Sequence, residues 1–155
     1  MPIQSFNGAR RIDVGGGDEI SLYDADNVKI TIIRGNGQTI ILRNFQDGDM
    51  VSGSKTNNKV ETMSDAQGSS AGSINKDQLG SIQTTFQQGS TSHELMSEMY
   101  NNDEVFAMWV NYGHERYGSD YCILQKAPDA PYGKSVPTRQ WTADCFKYVY
   151  DGNVQ

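Results

Sequence analysis

Two histidines, two cysteines and a few paired carboxylates are the residues of this chain that could do chemistry. His93 stands beside Glu94, and His114 beside Glu115. Zinc needs several such ligands at short fixed spacings, as in HExxH on one helix face, and neither histidine has a second ligand so placed. Cys122 and Cys145 lack the CxxC spacing of a metal or redox motif. In a reducing compartment they read first as small buried hydrophobes, with a bond between neighbouring strands as the alternative. His114 and Cys122 have the residue types of a base and a nucleophile, but no local signature surrounds either. Asp24 with Asp26, and Asp47 with Asp49, have the carboxylates of a glycosidase pair, yet each lies among turn formers. Asp24-Ala25-Asp26-Asn27 also starts like a calcium loop, without its glycine and distal glutamate. Gly15-Gly16-Gly17 is no phosphate loop: GK[ST] does not follow, and Asp13 and Asp18 flank it. No enzyme is expected from these residues, and no metal or cofactor.

The elements that would position them are mostly strands. From Leu79 to Gln87, Ile82, Thr84 and Phe86 alternate with Ser81, Gln83 and Thr85, which is the period of a strand with one buried face. Thr91-Ser92-His93-Glu94 fits a capping box with Thr91 as the cap, and the pairs Leu95/Met99 and Met96/Tyr100 give a helix over 91–102 one apolar side. One short amphipathic helix in such a chain is expected to cover an open end of the β-structure, with His93 facing solvent. Val28–Arg34 and Gln38–Arg43, joined by Gly35-Asn36-Gly37, form the clearest hairpin. Apolar residues on both of its faces predict a central, doubly covered position. Strands are also expected over 104–111, 120–126 and 140–150, the first two separated by a turn at 114–118. Pro128, Pro131 and Pro137 make a rigid connection between the last two. The final strand has apolar groups on both faces, which predicts packing on both sides.

The chain has 155 residues, enough for one domain with a real core. Its hydrophobic content of 36% is low, and its 16 glycines imply many turns. Trp109, Trp141, five Phe and eight Tyr argue against disorder, so a polar β-chain with scattered aromatics suggests a surface that meets copies of itself. The net charge of −6, without a basic cluster, excludes a dedicated nucleic-acid binder but suits a surface that nucleic acid passes without sticking. No apolar run is long enough to span a bilayer, and residues 1–11 lack a signal-peptide core, so a cytoplasm-like compartment is expected. Residues 44–77 differ in kind. Turn formers at 47–49, 53–54, 56–58 and 65–72 surround the weak alternation Lys59-Val60-Glu61-Thr62-Met63-Ser64. This segment is too long for an idle loop. It reads as a disordered insertion or as a long polar hairpin that orders against a partner.

The order of these elements, with "SIQTTFQQGS", "TSHELMSEMYNND", "VFAMWVN", "DYCILQKAP" and "RQWTADCFKYVYDGN", resembles the tail tube proteins of contractile-tailed bacteriophages. Ser92, Leu95, Met99, Tyr100 and Asn101 fit that family's helix pattern loosely, and Trp141 its closing strand. The resemblance runs from about 28 to 153. It implies a mainly β fold, a β-sandwich or small barrel with one short flanking helix, assembling into a hexameric β-barrel ring. Stacked rings would form the inner tail tube of a virion, assembled in the bacterial host cytoplasm, through which DNA passes without sequence-specific binding. The partners implied are the chain itself and tail sheath, baseplate and tail-terminator proteins, with no membrane. The alternative is the tube or ring of a contractile injection or type VI secretion system, or a tail-completion or baseplate ring. Residues 44–77 are then expected to carry ring-to-ring contacts, with Val51, Val60 and Met63 between subunits. Glu61, Asp65 and Asp77 are expected to face the lumen.

Overall fold

Residues 3–155 are described by the computed structural model, and half of the chain is strand. In chain order the strands are β1 (Ile3–Phe6), β2 (Ala9–Gly15), β3 (Asp18–Leu22), β4 (Lys29–Ile33), β5 (Thr39–Ile41), β6 (Val51–Lys55), β7 (Val60–Ser64) and β8 (Ser70–Ile74). β9 (Gly80–Gln87), helix α1 (Thr91–Asn101), β10 (Phe106–Tyr112), β11 (Glu115–Leu124), β12 (Thr138–Cys145) and β13 (Val149–Asp151) follow. They form three sheets among the described residues: a meander β1-β2-β3, a main sheet ordered β5-β4-β10-β11-β12-β9-β6 with β13 against β11, and the isolated pair β7-β8.

The core sits on one face of the main sheet. Alternation puts Ile30 and Ile32 of β4, Met108 and Val110 of β10, Ile82 and Phe86 of β9, and Trp141 and Ala143 of β12 on that face, all buried. Met96 and Met99 close it from α1, so the helix covers the sheet as its apolar pairs imply. The sheet curls far enough for the chain after β5 to return to β9. Phe45 bridges Phe86, Gln46 N–H donates to the Thr85 carbonyl at 3.1 Å, and Gln87 N–H to that of Asn44 at 3.0 Å. This junction is a single bridge, and the sheet is not a closed barrel.

Several expectations are corrected. The helix is capped by Ser90, one residue earlier than the Thr91 box: the Ser90 hydroxyl accepts from His93 N–H at 3.1 Å. The hairpin β4–β5 lies at the sheet's edge, because β4 pairs with β10 on one side and leaves β5 a ladder of only three residues on the other. Ile33 and Ile41 therefore stay exposed on the outer face. The turn expected at 114–118 is confined to Gly113 and His114, and β11 begins at Glu115. Gly118 was misleading as a turn signal: with φ at +145° it lies flat under Met108 and Trp109 inside the ladder. The last expected strand is two. Lys147, at φ +62°, turns the chain after Cys145, and β13 crosses to pair with β11. Its outer face is polar at Gln140, Thr142 and Asp144, so β12 is buried on one side only. The Pro-rich connection is pinned by the buried Arg139. Its Nη1 donates to the carbonyls of Pro131 at 3.3 Å and Thr138 at 2.7 Å, and its guanidinium lies over the Tyr132 ring.

Candidate assembly surface

Residues 44–77 divide into a strand that belongs to the body and a hairpin that does not. β6 pairs with β9 from Val51↔Thr84 to Lys55↔Gly80, and Val51 packs on the core of its own chain. Of the three residues expected between subunits, Val60 and Met63 alone stand free. They lie on β7, whose register with β8 sets Val60 against Ile74 and Met63 against Ala71. Alternation sends Val60 and Ile74 to one face and Met63 to the other. Every residue of both strands is exposed, and Val60, Met63 and Ile74 are 50%, 68% and 71% accessible.

Polar residues build the hairpin's two ends. At the tip, the Asp65 carboxylate accepts from Gln67 N–H and Ser69 N–H, each at 2.9 Å, while Gly68 takes the positive φ the turn requires. At the base, Asn75 N–H donates to the Lys59 carbonyl at 2.7 Å, and Thr56 N–H to that of Leu79 at 3.0 Å. The Asp77 carboxylate is the clamp there, accepting from Leu79 N–H at 2.9 Å and from the Asn57 side-chain amide. Those two bonds hold the carboxyl below the usual carboxylate range. Of the acids expected to face a lumen, Glu61 is free on the exposed hairpin, Asp65 shapes its tip and Asp77 anchors its root.

Ile74 is the residue of this surface that sequence reasoning missed. It ends the run Ser69-Ser70-Ala71-Gly72-Ser73, where small residues hide the strand period. Its one signal was an isolated β-branched residue at the mirror position to Val60 about the Asp65–Ser69 turn.

The groups considered for chemistry have structural partners. The His93 ring accepts a 3.0 Å hydrogen bond from Trp141 Nε1 at its Nδ1, so this half-buried ring is tied to the core and not free in solvent as expected. Burial first, then the Arg139 charge, hold this histidine below its ordinary range, with Glu94 opposing. His114 Nδ1 lies 2.6 Å from the Val154 carbonyl and its ring stacks on Phe6, tying both ends of the chain to the β10–β11 turn. His114 and Cys122 are not brought together: the Cys122 sulfur lies 3.3 Å from that of Cys145. Among the described residues no three His, Cys, Asp or Glu side chains converge as metal ligands, and no helix is long and apolar enough to cross a membrane. A cleft of about 500 Å³ lies between β6 and β10–β11. Tyr23, Val28, Met50, Val110 and Tyr117 line it, with Asp47, Asp49 and Glu115 at its acidic portion. Burial pushes the Tyr117 phenol up to about 12, so it stays neutral near pH 7.

No protein-family model matches this chain, and no curated protein matches it in sequence.

Proposed function

We propose that this chain is the subunit of a self-assembling tube, six copies to a ring and rings stacked head to tail, of the kind that conducts DNA through a contractile phage tail. The observation that carries this reading is the hairpin β7–β8. It is a two-stranded sheet bonded to no other sheet, and it holds Val60, Met63 and Ile74 out in solvent. A lone hairpin is marginal in water. Fixing its backbone costs about 1–2 kcal/mol per residue, whereas burying a large aliphatic side chain returns about 1.5–3 kcal/mol. Its own chain covers none of these side chains, and in this reading a second copy covers them. A contact made by a projecting hairpin on a different surface of the next copy is heterologous, and repetition of it gives a filament.

The acidic balance supports the same reading. With a net charge of −6, and with Glu61 and Asp65 exposed along the hairpin while Lys59 and Lys76 lie at its base, a bore lined by the strands β7 and β8 offers phosphate no basic surface to lodge on. Virion location and contacts with sheath, baseplate and terminator proteins follow as parts of the proposal. The test is sedimentation of purified protein with Val60→Asp and Met63→Asp changes. Tubes pellet for the parent, and the double variant remains in the supernatant as folded rings or monomers. Pelleting equal to that of the parent would remove the hairpin from the assembly contact.

A further inference from the structure

The two cysteines lie where the two halves of the main sheet meet. β11 and β12 share three residue pairs, Cys122↔Cys145, Ile123↔Asp144 and Leu124↔Ala143, whereas β12 and β9 share eight. This short ladder joins the half of the sheet built on β4, β10 and β11 to the half built on β12, β9 and β6. Around it, Phe146 N–H donates to the Tyr121 carbonyl and Gln125 N–H to that of Thr142, both at 2.9 Å. Those bonds bracket the Cys122–Cys145 pair, so it is a non-hydrogen-bonded antiparallel pair, the kind whose Cα atoms approach to about 4.5 Å. That separation lies within the range a disulfide spans, and the free sulfurs are already 3.3 Å apart.

Access to the pair comes from one end. Cys145 is the last residue of β12, followed by the exposed Phe146 and the left-handed Lys147. On the other side, β10 loses register with β11 between Phe106 and Met108, beside Cys122. Opening of this strand end, which breaks the Phe146–Tyr121 bond and the pairing of Cys145 with Gly80, exposes Cys145 before Cys122, which lies between β10 and β12. Its neighbour Cys145 and burial raise the Cys122 thiol, which keeps it protonated while the sheet is closed.

We propose that Cys122 and Cys145 form a closable staple, converted to an intramolecular disulfide by exchange with a low-molecular-weight disulfide. The frayed Cys145 thiolate attacks one sulfur of the small disulfide and expels the first thiolate, giving a mixed disulfide. While the strand end is still open and water reaches the pair, Cys122 gives up its proton and attacks the Cys145 sulfur, expelling the second thiolate, and the strand then closes over the new bond. Two protein thiols and one small disulfide yield one protein disulfide and two small thiols, with both protons taken up by the leaving groups. The bond ties the two halves of the sheet together at the short ladder that joins them. This inference does not depend on the tube reading, since it concerns the single chain.

The test incubates the folded, reduced protein with oxidised glutathione, below its melting temperature but warm enough for strand ends to fray. Mass spectrometry of the intact chain should show the loss of two hydrogens, and the thermal midpoint should rise by roughly 5–10 °C. Dithiothreitol should reverse both changes. A protein with Cys122→Ala and Cys145→Ala should show neither, and the mass change in the parent stands as evidence even if that variant folds poorly. A persistent glutathione adduct, a covalent dimer or an unchanged mass would each overturn the staple.

Discussion

The bond from Trp141 to His93 sets a dependence on pH. Only the neutral ring can accept at Nδ1, and burial holds the folded pKa below the unfolded value of 6.5. As pH falls, the unfolded chain takes up this proton before the folded one does. The contribution is therefore complete above about 6.5 and is lost as pH drops from there through the folded value. Thermal midpoints measured at pH 7 and pH 5 should fall for the parent, and fall less for His93→Gln, whose amide oxygen can still accept from Trp141. Equal falls would assign the acid sensitivity to other groups. Backbone freedom matters most at Gly118, where a Cβ would collide with the Met108 carbonyl at a φ of +145°. Gly118→Ala should cost about 2 kcal/mol or more in urea denaturation. Replacing Cys122 and Cys145 by Ala should cost only about 1 kcal/mol and leave assembly intact, as expected of small core residues whose bond is not needed to fold.

The division of residues 44–77 into β6 and a free hairpin gives a sharper deletion than the sequence allowed. Removing 48–76 would take β6 from the edge of β9 and uncover Ile82 and Thr84, so that variant should unfold. Replacing 58–76 by a short Gly-Ser link keeps β6, Asn57 and Asp77, and should give a folded chain that makes no long tubes. Circular dichroism and sedimentation together check this. Amide exchange should find 60–74 fast in the monomer and slow in the tube, with 80–101 slow in both. Period-two alternation made β9 legible, because it buries one face, and the helix was legible from its apolar pairs. β4 and β12 were legible as strands, but apolar groups on both of their faces implied a double cover that only one face has. Pairing order was not. Nothing local in Val28–Arg43 says that β5 ends at the sheet's edge, since that follows from β4 choosing β10. β6 was hidden because Ser52, Gly53 and Ser54 read as turn, whereas Gly53 is small because Tyr117 and Tyr148 lie over it. The hairpin's apolar contacts were half legible: Val60 and Met63 stood out, and Ile74 was masked by serine and glycine.

As a whole molecule, the chain combines a curled sheet with a buried core, a meander at its N-terminal side and a projecting hairpin that nothing in the chain covers. The sheet holds the core, the largely exposed meander is tied to it through Asn7, Leu22 and Phe6, and the proposed assembly would cover the hairpin. A hexameric ring stacked through that hairpin accounts for the polar composition, the acidic charge and the exposed Val60, Met63 and Ile74 together. The most direct measurement is negative-stain electron microscopy of the purified protein across a range of concentrations. The tube reading predicts hollow rods that lengthen with concentration and six-fold rings seen end-on. A uniform field of single small particles at every concentration, with a mass in solution equal to one chain, would contradict it.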